Sequence, residues 1–176
     1  MTMNARTAPL LLLTLSVLWP GLSCAGMRED ARQLVEQKDF TSALEKYHRL
    51  LAETPDDIDL LIEAARVNAW ADRHEEAIAL YQRVLRAAPQ RRKDVVLPLA
   101  WQLTWSGRHR EAIPLFRESL ITESNTREAR RGLAEALSGN NRLPEALAEY
   151  QKLIAADADD LQARYGEARL LLWMDR

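Results

Sequence analysis

An internal repeat with a period of about 34 residues constrains this chain more than any other feature of its sequence. Alanines recur with this period, and an aromatic residue follows each of them by four positions. A second, independent alanine series has the same period, so the repetition does not arise by chance. The first series is Ala43, Ala77, Ala112 and Ala146, with the aromatics Tyr47, Tyr81, Phe116 and Tyr150. The second series is Ala31, Ala65, Ala100, Ala134 and Ala168.

These spacings predict pairs of helices. A step of four residues places the alanine and the aromatic on one helical face. The small side chain allows two helices to cross closely, while the aromatic fills the space beside the next pair. Leu and Ala dominate the chain and β-branched residues are few, which favours helix over strand. The acidic pairs Asp56-Asp57 and Asp159-Asp160 offer N-caps for the helices that follow. The predicted fold class is therefore all-α, an α-solenoid of helical hairpins.

The pattern of small residue, small residue, aromatic and proline resembles the tetratricopeptide repeat family. It appears most fully in the units that end at Pro55 and Pro89. Later units depart from it, because Ser124 and Ala158 stand where the closing proline is expected and Ser119 replaces an apolar residue. The resemblance implies a solenoid domain over residues 26–176. Its predicted repeats span residues 27–56, 57–90, 93–124 and 127–158, with a partial unit at 160–176.

The partial fifth unit is predicted to be a first helix without its partner. Ala168 and Leu171 occupy positions that would contact a second helix. Solenoid ends normally carry a polar cap. Two interpretations stay open: the chain is the N-terminal piece of a longer protein, which we favour, or the last helix is a solitary cap.

The first 25 residues resemble a bacterial signal peptide. Arg6 precedes an apolar run at residues 10–19, which is too short to cross a bilayer, and Pro20-Gly21 ends the run. Small residues at Ser23 and Ala25 predict cleavage after Ala25. Cys24 offers an alternative as the acylated residue of a degraded lipoprotein motif. Either route predicts a periplasmic or outer-membrane-associated protein.

The family resemblance places ligand contacts on first-helix residues that line the concave side of the solenoid. Trp70, Trp105 and Trp173 occupy equivalent positions at the ends of first helices. Trp and Arg are enriched at binding hot spots. A tryptophan there is also explained by packing under the next hairpin, so both roles stay open. The predicted groove residues are Arg66, Trp70, Trp101, Trp105, Arg131, Tyr165, Arg169 and Trp173.

The motif Trp-x-(Gly or Asp)-Arg at 70–73, 105–108 and 173–176 supports a narrower resemblance. It is similar to periplasmic tetratricopeptide modules of outer-membrane proteins that export exopolysaccharides. This resemblance implies protein partners of the bacterial envelope, bound by a scaffold that mediates protein–protein interaction. Direct binding of an extended polysaccharide by the tryptophans is the alternative.

Other classes of function find no support in the sequence. A net charge of −2 without a clustered basic face argues against nucleic acid as a partner. His48, His74 and His109 lack the spacing of zinc ligands. Neither a nucleophile elbow nor a phosphate-binding glycine loop is present. We therefore expect a binding protein without a catalytic site, metal or cofactor.

Overall fold

The computed structural model describes residues 20–122 and 126–175, with side chains described from residue 24 onward. Regular structure in these ranges is helical throughout. The helices are α1 (Pro20–Glu36), α2 (Phe40–Glu53), α3 (Ile58–Trp70), α4 (His74–Ala87), α5 (Arg92–Trp105), α6 (His109–Thr122), α7 (Thr126–Gly139), α8 (Leu143–Ala156) and α9 (Leu161–Met174).

Consecutive helices pair as hairpins that stack side by side. The pairs are α1 with α2, α3 with α4, α5 with α6 and α7 with α8, while α9 packs on α8. In addition, α5 contacts α7 and α7 contacts α9. The first helices of successive hairpins therefore form one layer. This arrangement confirms the all-α solenoid predicted from the repeat.

Each hairpin turn contains one residue with a left-handed backbone. After α3, Asp72 takes this conformation, and the backbone N–H of Arg73 donates to the carbonyl oxygen of Asn68 at 2.9 Å. This hydrogen bond closes the helix end in the manner of a Schellman motif. Gly, Asn and Asp tolerate a positive φ better than other residues do. The φ values are 61° at Lys38, 56° at Asp72, 78° at Gly107 and 58° at Asn141.

Both alanine series lie in the interior wherever a hairpin is complete. Ala43, Ala77, Ala112 and Ala146 are fully buried, and so are Ala31, Ala65, Ala100 and Ala134. In the partial fifth unit the equivalent Ala168 is not buried, and Leu171 keeps 46% of its surface exposed. The same position is thus buried only where the hairpin's second helix covers it.

The aromatic residue of each second helix reaches the first helix of the next hairpin. Gly132 receives the ring of Phe116, and Gly166 receives the ring of Tyr150. A Cβ atom would lie 2.2 Å from a ring carbon at Gly132 and 2.3 Å at Gly166, well inside van der Waals contact. At the equivalent position of α3, Glu63 accepts a hydrogen bond from the hydroxyl of Tyr47 at 3.3 Å.

Departures from the repeat pattern are accommodated locally. Ala65 and Ala100 are 35 residues apart, one more than the 34 between Ala31 and Ala65. The chain between the second and third hairpins contains a 3₁₀ turn at Pro89–Arg91, and the guanidinium of Arg91 pairs with Asp59 at 2.8 Å. Ser119 is fully buried, and its hydroxyl donates to the carbonyl oxygen of Leu115 at 3.1 Å. Ser124 lies outside the described residues.

Two helices carry the aspartate caps that the sequence predicts. Oδ1 of Asp57 accepts from the backbone N–H of Leu60 at 3.0 Å, and Oδ1 of Asp160 accepts from that of Ala163 at 3.0 Å. The second aspartate of each acidic pair is therefore the cap. These bonds satisfy backbone donors that a helix start leaves free.

The predicted signal peptide falls mostly outside the described residues. Helix α1 begins at Pro20 and therefore includes the predicted cleavage point after Ala25. Within α1, the thiol of Cys24 donates to Oε2 of Glu53 at 2.7 Å. Signal cleavage and acylation of Cys24 both stay predictions. No helix in the described ranges is long and apolar enough to span a membrane.

Replacing Ala134 by Leu is expected to destabilise the protein by about 1–3 kcal/mol, because the larger side chain overpacks a fully buried site. The matched control is Ala168→Leu at the equivalent position of α9, where the alanine is exposed. The control should change the free energy of unfolding by less than about 0.5 kcal/mol. Urea denaturation followed by far-UV circular dichroism measures both variants. Equal losses at the two positions would contradict the assignment of the buried face.

Gly132→Ala is expected to destabilise the protein although Ala favours a helix over Gly by about 1 kcal/mol. The added methyl group collides with the ring of Phe116. In a Phe116→Leu background the same change should become neutral or stabilising, because the ring is gone. A thermal unfolding cycle of the four proteins measures this, and additive effects would rule out the contact.

Candidate ligand groove

Two adjoining cavities run along the layer of first helices. We call this surface the groove; it is formed by side chains of α3, α5, α7 and α9. Its upstream half has a volume of about 870 Å³ and its downstream half about 480 Å³. Trp101 and Trp105 line both halves. The groove is therefore continuous from the second hairpin to the last helix.

The predicted site residues come together in this groove. Arg66 and Trp70 line the upstream half, while Arg131, Tyr165 and Arg169 line the downstream half. Trp173 lines neither cavity, but its ring centroid lies 5.5 Å from the guanidinium carbon of Arg169. The family resemblance, together with the equivalence of positions between repeats, predicts that these residues share one surface.

Trp101 forms the floor of the groove. It is only 6% exposed and belongs to the main hydrophobic core. The centroid of its ring lies 5.3 Å from that of Phe116 in an edge-on contact and 5.3 Å from that of Trp105 in a stacked one. Such contacts add to the stabilisation from apolar burial. Its main role is therefore structural, and it offers a ligand little surface.

Trp70 and Trp105 are half exposed, and each also contacts the second helix of the preceding hairpin. The centroid of the Trp70 ring lies 6.3 Å from that of Phe40, and that of Trp105 lies 5.8 Å from that of His74. Phe40 and His74 begin α2 and α4, the second helices of the preceding hairpins. The two roles left open by the sequence are compatible, because 56% of Trp70 and 54% of Trp105 stay exposed.

The fourth hairpin replaces this tryptophan by Gly139. A Cβ atom there would lie 2.4 Å from Nε2 of His109, which begins α6. His109 therefore occupies space that a tryptophan would fill. The row of exposed aromatics is interrupted at this point. Alignment of the repeats predicts this interruption, because Gly139 lies one repeat period after Trp105.

Arginine side chains of the groove stack on aromatic rings. The guanidinium carbon of Arg131 lies 5.4 Å from the ring centroid of Trp101, and that of Arg169 lies 5.9 Å from the ring centroid of Tyr165. Among the described residues, no carboxylate oxygen approaches Arg66, Arg131 or Arg169 within 4.0 Å. The guanidinium groups of Arg131 and Arg169 are thus positioned by aromatic rings rather than by ion pairs with carboxylates.

Several first-helix arginines that do not line the groove form ion pairs. Arg28 and Arg32 both bind Glu63, with nitrogen–oxygen distances of 2.9 and 2.6 Å, and Arg130 binds Glu149 at 2.8 Å. Burial acts to raise the pKa of Glu63, but hydrogen bonds from the two arginines outweigh it and lower the pKa. Arg28 and Arg32 therefore serve the packing of α1 on α3.

Glu135 is an acidic residue of the groove. It lies on α7 one turn after Arg131 and lines the downstream half. Burial raises the pKa of its carboxyl, and the charges of Arg131 and Arg169 only partly oppose this. Burial also raises the pKa of the neighbouring Tyr150 hydroxyl. A partly desolvated carboxyl near two arginines has no sequence signature, because it depends on the stacking of hairpins.

A metal site is not apparent in the described ranges. No group of three or more His, Cys, Asp or Glu residues there could hold an ion. His74 instead forms a hydrogen bond through Nδ1 with Oε1 of Gln102 at 2.9 Å. This contact joins α4 to α5, and both residues line the upstream half of the groove.

Comparison with known proteins places the fold in a family. A model of the family described as Tetratricopeptide repeat matches residues 34–95 and 106–176, most of the chain. The chain belongs to the tetratricopeptide repeat family. The predicted family resemblance is thus confirmed, and the fold indicates a scaffold for protein–protein interaction. Such scaffolds are generally not enzymes. The narrower resemblance to exopolysaccharide export modules stays a prediction.

Several solved structures have a similar fold at low sequence identity. MamA from Desulfovibrio magneticus RS-1 has a TM-score of 0.78 at 14% identity, over 86% of this chain and 85% of that chain. A tetratricopeptide protein from Parabacteroides merdae has 0.75 at 19% identity, over 88% and 60%. YrrB, described as a tetratricopeptide protein with an unusual peptide-binding site, has 0.70 at 20% identity, over 85% and 76%. At these identities the likeness concerns the fold alone. A search of curated proteins finds no match.

Glu135→Gln is expected to raise stability at neutral pH, by less than about 1 kcal/mol because the side chain is partly solvated. A raised pKa means that the folded state binds the proton more tightly, so ionised Glu135 costs stability. The gain should shrink as the pH falls through the folded pKa of Glu135. It should vanish below the ordinary glutamate value of 4.5.

Glu63→Gln provides a control of opposite sign. The pKa of Glu63 is lowered, so its contribution is favourable at neutral pH and is lost as the pH falls through its folded value. Thermal melts of both variants from acidic to neutral pH test this pair. A destabilised Glu135→Gln protein at neutral pH would contradict the assigned environment.

Proposed function

We propose that the chain is an exported scaffold that binds an extended segment of a partner protein in the groove. The observation that carries this proposal is the exposure of Trp70 and Trp105, which keep more than half of their surface free while packing on the preceding hairpin. Exposed aromatic surface beside arginines is typical of a binding site. Truncation of such an anchor commonly weakens binding by roughly 2 kcal/mol.

The dimensions of the groove suit an extended chain. Neighbouring helices pack about 10 Å apart, so the layer from α3 to α9 spans roughly 30 Å. An extended peptide covers about 3.3 Å per residue, which gives roughly nine residues over this length. The fold likeness to YrrB, with its peptide-binding site, supports a peptide segment as ligand.

The partner we propose is a protein of the bacterial envelope. The predicted signal peptide at residues 1–25 supports export to the periplasm, with outer-membrane association through Cys24 as an alternative. The Trp-x-(Gly or Asp)-Arg motif supports a role in outer-membrane export or envelope assembly. Exopolysaccharide export is the narrowest form of this proposal.

Direct binding of an extended polysaccharide is the second candidate. The observation that favours it is the row of half-exposed rings at Trp70, Trp105 and Trp173, whose flat faces suit stacking against sugars. Titration with neutral and acidic polymers, followed by tryptophan fluorescence, distinguishes it from a protein partner. A saturable shift with a polymer, and no bound peptide, would favour the polysaccharide.

The direct test selects peptides that bind the immobilised protein from a displayed random library. The peptides are long enough to span the groove. We expect Arg66→Ala to weaken binding of the best peptide by roughly fivefold or more. The guanidinium of Arg66 lines the groove, and no carboxylate of the described residues forms an ion pair with it. The melting temperature should stay unchanged. Isothermal titration calorimetry and thermal melts measure the two quantities.

Arg86→Ala is the matched control for this test. Arg86 is an exposed arginine near the end of α4 that lines no part of the groove. Failure to select any peptide, or equal effects of Arg66→Ala and Arg86→Ala, would contradict binding in the groove. If the chain instead acts only as a structural spacer and binds no ligand in the groove, Trp105→Ala and Arg66→Ala should reduce function only as far as they reduce stability.

A further inference from the structure

Most of the exposed large apolar side chains in the described part of the chain lie on one helix, α9. This helix packs on α8 and touches α7. A concentration of apolar surface on one element marks an interaction site. The exposed apolar residues of α9 are Leu161, Tyr165, Leu171, Leu172, Trp173 and Met174. Leu171 lines neither half of the groove, and the same is true of Arg164 and Ala168.

These last three residues repeat the residues with which α7 receives its own second helix. Arg164, Ala168 and Leu171 each lie 34 residues after an identical residue of α7. The residues of α7 are Arg130, Ala134 and Leu137. On α7, where α8 packs, the alanine is fully buried and the leucine is 1% exposed. On α9, the alanine is exposed and the leucine is 46% exposed. The face of α9 is thus a second copy of a surface that α8 covers in the fourth hairpin.

The charged member of this face is available for an ion pair. On α7, Arg130 pairs with Glu149 of α8 at 2.8 Å, and both side chains are largely withdrawn from solvent. Arg164 is exposed, and no carboxylate oxygen of the described residues lies within 4.0 Å of it. The same arginine therefore has its glutamate in the fourth hairpin and lacks one on α9.

The second and third hairpins show that the residue types at these two positions are matched. At the position of Arg130, α3 carries the buried Leu61. At the position of Glu149, α4 carries Leu80. The third hairpin is likewise apolar at both positions. A leucine or valine on the first helix thus goes with a leucine on the second, and an arginine goes with a glutamate. Arg164 is therefore expected to select a helix that carries a glutamate.

From this match we infer that α9 binds an amphipathic helix of another protein, in the place that α8 takes on α7. The partner helix carries an alanine where it crosses Ala168, a glutamate three residues later and an apolar residue four residues after that. In α8 these are Ala146, Glu149 and Leu153, whose spacing places them on one helical face. Recognition of this kind lays the apolar face of one helix on a complementary surface. The site lies beside the groove and is independent of a ligand there.

A second copy of this chain does not present such a helix. Ala146 is fully buried and Leu153 is 4% exposed, so α8 becomes available only when its hairpin opens. Pairing of two α9 helices would supply apolar residues to both sides, but it would also bring the positive charge of Arg164 to both sides. Charge complementarity therefore favours a different polypeptide, whose helix supplies the glutamate.

The test uses the full chain and a labelled synthetic peptide with the sequence of residues 141–158, which contains α8. We expect saturable one-to-one binding, measured by fluorescence anisotropy. Glu149→Gln in the peptide should weaken binding to the wild-type chain roughly fivefold, because a partly buried ion pair is lost. The same change should have no effect on binding to the Arg164→Gln chain. Arg164→Glu should restore binding of a Glu149→Arg peptide.

Ala168→Leu should weaken binding at least tenfold, because a larger side chain at the crossing keeps the two helices apart. Its stability should match that of the wild type, so the loss reports on docking alone. Arg86→Gln is the matched control for Arg164→Gln, because Arg86 is an exposed arginine of α4. Circular dichroism and melting temperatures establish that each variant is folded.

The absence of saturable binding at about 1 mM peptide would overturn the inferred site, and so would full binding to the Ala168→Leu chain. Equal effects of Glu149→Gln on the wild-type and Arg164→Gln chains would overturn the ion pair on which the inference rests. A dimer in sedimentation that Ala168→Leu abolishes would replace the partner helix by a second copy. A form of the protein extended beyond Arg176 that no longer binds the peptide would replace it by the chain's own continuation. The proposed function of the groove would stand in each case.

Discussion

The contact between the aromatic residue of one hairpin and the first helix of the next determines the shape of this protein. Phe116 on Gly132 and Tyr150 on Gly166 bring a ring against a helix backbone at a distance that no larger residue permits. Fully buried alanines act likewise inside each hairpin. These contacts set the spacing of the first helices and hence the width of the groove. A site built by stacking is formed by at least three hairpins at once.

Repetition made most of this architecture predictable from the sequence. An alanine–aromatic spacing of four, repeated with a nearly constant period, identifies hairpins and their buried faces. Depth within the groove was not predictable in the same way. Trp101 and Trp105 lie on one face one turn apart, yet they are 6% and 54% exposed. The difference arises because Trp101 meets Phe116 from the neighbouring helix, and such contacts depend on how successive hairpins are stacked.

Electrostatics divides the layer of first helices into two regions. At its N-terminal end Glu63 receives Arg28, Arg32 and the hydroxyl of Tyr47, so charge is used to join the first two hairpins. From α5 onward the surface that faces the groove carries Trp101 and Arg131 instead, and charge remains available. Charged residues of the N-terminal first helices therefore join hairpins, whereas Arg131 and Arg169 of the later first helices face the groove. Repeat equivalence predicts location, whereas the residue type decides between packing and binding.

Some groove residues contribute less to the stability of the free protein than their size or charge would allow. Glu135 is partly desolvated with a raised pKa, and Trp70 keeps 56% of a large apolar surface in water. Elsewhere the chain follows the rules of a stable solenoid, with buried alanines, aspartate caps and Schellman turns. Exposed tryptophans and a desolvated carboxyl that lie together on one surface are typical of a binding site, where function opposes maximal stability. A ligand that covers the exposed tryptophan surface would bury apolar area that folding leaves in water, and this links the groove's small contribution to folding with its proposed capacity to bind.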